Sequence, residues 1–109
     1  MNIEKIKEHY DHAREKHSYF CDFITRLSQG EANELLNIYR DAISVEKKRG
    51  CLTASRLLGC ELYEAMQAYT QGDNASAVEE CYDAIAVLLR TIDVLEGRQE
   101  LGNPDEKES

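Results

Sequence analysis

The sequence predicts an all-α protein whose four helices form antiparallel hairpins or a bundle. Three observations predict it. Apolar residues recur at alternating steps of three and four along most of the chain, the repeat of a helix face. The only proline is Pro104, so nothing upstream forbids helix. Glycine punctuates the chain at Gly30, Gly50 and Gly72, where a left-handed residue can close a helix. Period-two alternation is absent and β-branched residues are scattered, so no strand is expected.

These marks divide the chain into helices over about 2–28, 31–49, 51–71 and 74–97. The first carries Ile3, Ile6, Tyr10, Ala13, His17, Phe20, Ile24 and Leu27, an a/d stripe kept for four heptads with one histidine in it. The second has a broader apolar face of Ala32, Leu35, Leu36, Tyr39, Ala42 and Ile43, and ends in Lys47, Lys48 and Arg49, where the helix dipole favours positive charge. Gly50 leaves two readings open, a tight turn or a bend in one long helix. The third offers Leu58, Leu62, Ala65 and Tyr69. The fourth repeats the a/d spacing at Val78, Cys81, Ile85, Leu88, Ile92 and Leu95, and Asp73 or Asn74 can cap it. Short connections make neighbours antiparallel. Residues 1–98 therefore read as one helical domain and 99–109 as a polar, disordered tail.

Charge narrows the function. The 109 residues carry a net charge of −8, all of it in the second half. Residues 1–50 hold nine acids and nine bases, whereas 51–109 hold twelve acids and four bases. A direct nucleic-acid binder needs clustered Lys and Arg and is not expected. No stretch approaches the roughly 20 apolar residues of a membrane span, and no targeting segment is visible, so the reading is a soluble cytoplasmic protein. Cys21, Cys51, Cys60 and Cys81 form no CxxC pair and sit in apolar stretches, as free thiols do.

No catalytic constellation announces itself. The three histidines, His9, His12 and His17, all lie in the first segment. His9 and His12 share a face, and Glu8 or Glu15 could join His12 on a metal. The Glu-x-x-His pair of di-metal bundles occurs at none of them. The expectation is no enzyme, no cofactor and no metal site. Between Arg56 and Arg90, however, Glu61, Glu64, Asp73, Glu79, Glu80 and Asp83 occur without a single base. A hairpin turning at Gly72 would gather several of them beside Tyr63, Tyr69 and Tyr82. That pattern predicts a docking surface for a protein with a basic face, centred on Glu61, Glu64, Tyr69, Asp73, Glu79, Glu80 and Asp83.

Around this turn Ala68-Tyr69-Thr70-Gln71-Gly72-Asp73, with Ala77-Val78-Glu79 and Ala84-Ile85, resembles the turn and second helix of a tetratricopeptide repeat. Gly72, Ala77 and Ala84 match the family spacing. Its Trp and Leu-Gly positions fall instead on Glu61, Glu64 and Ala65, and its closing Pro on Leu89. The segment, about 58–90, is also loosely similar to the helical hairpins of small flagellar and type III secretion chaperones. Both resemblances imply protein binding. The expectation is a small helical adaptor, chaperone or inhibitor. The alternatives are a homodimer that pairs through the stripe of the first helix and a metal-binding helical bundle.

Overall fold

The computed structural model describes residues 1–24 and 28–97 and contains four α-helices with no strand among them. They are α1 (Ile3–Lys16), α2 (Ser28–Lys48), α3 (Ala54–Thr70) and α4 (Asn74–Leu95). The all-α, four-helix reading holds. Three helix boundaries differ from expectation by more than fraying, each for a local reason.

The first helix stops twelve residues early, at Lys16 rather than 28, with His17 as its C-cap. His17-Ser18-Tyr19-Phe20-Cys21 is a run of weak helix formers, and no neighbouring helix packs there to offset their propensity. The eight-residue stripe is broken with it. Ile3, Ile6, Tyr10 and Phe20 are exposed, Ile24 is buried, and Leu27 lies outside the described residues. Gly30 does not separate two helices. It is the third residue of α2, with open space around its Cα. α3 begins at Ala54 rather than 51, because residues 51–53 complete the connection from α2.

Gly50 is a turn. Its φ of 69° is left-handed, and Gly50 N–H donates to Lys47 O at 3.1 Å while Cys51 N–H donates to Glu46 O at 2.9 Å. This pair of bonds satisfies the last carbonyls of α2, and Glu46 then accepts from Thr53 N at 2.8 Å, linking the turn to the start of α3. Gly72, with φ 78°, closes α3 in the same way through Asp73 N–H to Ala68 O at 2.9 Å.

α3 is the middle element, packed on α2 along one side and α4 along the other. Leu36, Ile43 and Cys60 form the buried core between α2 and α3, flanked by Tyr39, Leu57 and Tyr63. Close approach there depends on Gly59, where a Cβ would lie 2.5 Å from the Tyr39 ring. On the other side Ala65 and Ala77 are buried, small residues that let α3 and α4 come together. α1 packs against none of the other helices among the described residues. The chain meets α4 on either side of it: the Met1 amino nitrogen lies 3.1 Å from Asp93 near the end of α4, and Phe23, seven residues past α1, lies at the start of α4. The principal extents are 50 × 36 × 20 Å, and the radius of gyration of 16.2 Å exceeds the roughly 13 Å of a compact chain this long.

Candidate functional site

The α3–α4 hairpin carries two features, a carboxylate cluster in the cleft between the helices and an open apolar seam on the outer side of α4. The cluster comes from helical spacing. Glu61 and Glu64 stand three apart on one face of α3, and Glu80, two turns into α4, meets them. One oxygen of each lies within 4.8 Å of the others. Glu61 Oε2 and Glu80 Oε2 are both shielded from solvent and lack a donor. These surroundings push the Glu80 carboxyl up to about 8. The largest cause is its hydrogen bond with Glu61, followed by desolvation and Glu64. Protonation turns one oxygen of Glu80 into a donor for Glu61.

Arg40 of α2 adds a positive charge 3.5 Å from Glu64, and the Cys60 thiol donates to Glu64 at 3.3 Å. Burial, and then Glu64, push that thiol up to about 11, which keeps it protonated and unreactive. Carboxylates are the ligand type of hard divalent cations, and among the described residues these three are the group whose spacing could hold one. His9 and His12 lie exposed on α1, where no other helix packs to bring a further ligand.

The residues predicted to dock a partner therefore separate. Glu61, Glu64 and Glu80 are half-buried between the helices, whereas Glu79 and Asp83 are exposed on α4. Asp73 is the α4 N-cap. It accepts from Ser76 N at 3.0 Å and Ser76 Oγ at 2.7 Å, and these bonds hold its carboxyl below the usual range. The half-buried Tyr69 hydroxyl donates to Asp22, and its ring meets Phe23 edge-on at 5.5 Å between centroids. Tyr69 thereby anchors the segment that follows α1. The hydrogen bond keeps the Tyr69 phenol protonated above its ordinary range and lowers Asp22.

The seam consists of Val78, Ile85, Leu88, Ile92 and Leu95 with Tyr82 and Cys81, all exposed. All of these but Tyr82 read from the sequence as an a/d repeat. The structure turns them outward because α4 has a second apolar face, with Ala77 buried and Ala84, Val87, Thr91 and Val94 half-buried. The signal was present in the residue sizes: small side chains at Ala77 and Ala84 pack closely against α3 and leave the larger ones on the adjoining face. At the N-terminal end of the seam Phe23, Tyr69, Ala77, Val78, Cys81 and Tyr82 line an apolar hollow of about 500 Å³.

No family profile matches the chain, and neither curated proteins nor solved structures give a match. Among the described residues no helix is long and apolar enough to cross a membrane.

Proposed function

We propose that this chain is a small helical protein-binding module, an adaptor, chaperone or inhibitor acting in the cytosol, that docks protein through the α3–α4 hairpin. The observation that carries the reading is the exposed seam of α4. Its side chains leave open on the order of 600 Å² of surface, at the upper end of what a monomer exposes in one patch. Apolar area of that size is costly in water and is stabilised by covering it.

The acidic residues take two roles in this reading. Glu79 and Asp83, exposed on α4, set the sign of the field that a basic partner meets on approach. Glu61, Glu64 and Glu80 act within the hairpin, holding α3 against α4 through a shared proton. The turn at Gly72 and the buried Ala77, both matched by the tetratricopeptide-like spacing, support a hairpin built for close packing. A second reading, self-association through α1, draws support from the exposure of Ile3 (71%), Ile6 and Tyr10 on a helix that packs on nothing.

Affinity capture from the native host tests the main reading, with wild type, an Ile85→Glu/Leu88→Glu variant and a Glu79→Lys/Asp83→Lys variant compared side by side. The seam variant is expected to lose whatever protein the wild type retains, other copies of this chain included. The charge variant is expected to retain it with slower association. If the seam variant captures the same protein as efficiently as wild type, the seam is not the docking face.

A further inference from the structure

We propose that the open seam of α4 is the interface of an antiparallel homodimer, in which the α4 helices of two copies lie side by side about a two-fold axis near Ala86 and Val87. The inference rests on the seam as the docking face and puts a second copy of this chain there in place of a basic partner.

Register supplies the first argument. Val78, Cys81, Ile85, Leu88, Ile92 and Leu95 keep the a/d spacing of a coiled-coil seam for six layers. An antiparallel copy sets Val78 against Leu95, Cys81 against Ile92 and Ile85 against Leu88, with each layer repeated by the two-fold. The seam is thus complementary to itself, as an isologous interface must be.

Shape supplies the second. Leu95, at 80% exposure, is the most protruding side chain of the stripe and stands at its C-terminal end. The apolar hollow stands at the other end, with Asn74, Ala77, Val78 and Cys81 of α4 in its lining. Those four positions form the set that receives one knob from a facing helix. The antiparallel register brings Leu95 of each copy to the hollow of the other.

Charge and area supply the third. Two chains of net charge −8 can approach closely only along an uncharged strip. The six seam positions are uncharged, and so are Ala77, Tyr82, Ala84, Leu89 and Thr91 beside them; Glu96, beside Leu95, is the charge at the end of the strip. Glu79, Glu80 and Asp83 fall at the heptad positions turned away from the seam. A basic partner would find no carboxylate along the inner four layers, whereas a second copy finds its own match. Covering both seams removes roughly 1,200 Å² in total, which reaches the size of a stable interface.

Light scattering and sedimentation of the full chain, from low to several hundred micromolar, test the proposal. Wild type is expected to move from 12.4 kDa toward twice that mass as concentration rises. Ile85→Glu/Leu88→Glu is expected to stay at one chain with its far-UV circular dichroism unchanged, a loss of self-affinity of roughly a hundredfold or more from burying unpaired carboxylates. Orientation is read in a Cys21→Ser/Cys51→Ser background treated with diamide. Adding Ile92→Cys is expected to create a disulfide-linked dimer through Cys81, and the background alone is expected to give none.

Several results overturn the proposal. One is a wild type that stays at one chain, including the case in which Cys81 resists alkylation there because α1 has folded onto the seam. Another is a dimer unaffected by the seam variant. A Cys81–Cys81 crosslink in the background would exclude the antiparallel register. If wild type is monomeric but the seam variant still loses a captured protein, the docking reading stands and only its occupant is wrong.

Discussion

Glu80 is the residue whose chemistry most depends on its neighbours. In the unfolded chain its carboxyl titrates near 4.5, whereas in the hairpin it holds its proton to about 8. A group whose acidity is suppressed by folding stabilises the fold below its unfolded value. That contribution is lost as pH rises through the window between the two values. Asp22, Glu46 and Asp73 shift the opposite way, each lowered by hydrogen bonds, so their contributions are present at neutral pH and fade as acid is added. Thermal unfolding of wild type is therefore expected to peak in mildly acidic buffer and to decline toward pH 8. Glu80→Gln keeps the shape and supplies a permanent donor to Glu61 and Glu64. Its melting temperature should match wild type near pH 5 and exceed it by several degrees at pH 8. An equal offset at both pH values would show that the proton in the cluster contributes nothing to the hairpin.

Helices were legible in the sequence where local chemistry and packing agree. The turn at Gly72, the cap at Asp73 and the basic end of α2 all follow from residue type at a fixed offset. Gly50 was ambiguous because a glycine inside a helix costs only about 1 kcal/mol relative to alanine, too little to forbid it there. The hydrogen bonds from Gly50 and Cys51 back into α2 decide it. The a/d stripe over residues 3–27 misled, since periodicity marks which residues would share a face and not whether the backbone stays helical between them. The candidate site was legible as a gathering of carboxylates. Which of them face inward was not, because that depends on the rotation of α4, set by Ala65 and Ala77. Gly59 shows the same dependence between α2 and α3. A side chain there must displace the Tyr39 ring, which is held beside Tyr63 at 5.5 Å between centroids. Leucine forms helix better than glycine, so Gly59→Leu would stabilise an isolated helix. In the intact protein overpacking should reverse the sign and destabilise by about 1–3 kcal/mol. Urea unfolding measures it, and a midpoint equal to or above wild type would mean the α2–α3 contact adjusts freely.

Across the whole molecule stability is unevenly distributed, because α2, α3 and α4 share a core and α1 shares none of it. A helix of 14 residues is marginal in water on its own, so α1 relies on short-range help. Asn2 caps it by accepting from Lys5 N at 3.1 Å, Glu4 lies in its first turn, and Arg14 and Lys16 lie in its last. Arg14 also sits 5.9 Å from the Tyr10 ring centroid. The segment after α1 is held differently: Ile24 is buried and Phe23 packs on Tyr69. Amide hydrogen exchange is thus expected to be fast throughout α1 and slow in the middle of α2 and α3, with residues 22–24 closer to the slow class. Truncation makes the same division thermodynamic. Removing residues 1–16 should reduce the helical circular dichroism yet leave the unfolding temperature within about 3 °C of wild type, since less than about 1 kcal/mol of packing is lost. Phe23→Ala in the full chain should lower it by more, about 4–8 °C for each kcal/mol removed. A truncation that unfolds the rest would place α1 inside the cooperative unit and require it to pack on the seam of α4 in solution. The interface proposed for that seam would then be closed by the chain's own first helix.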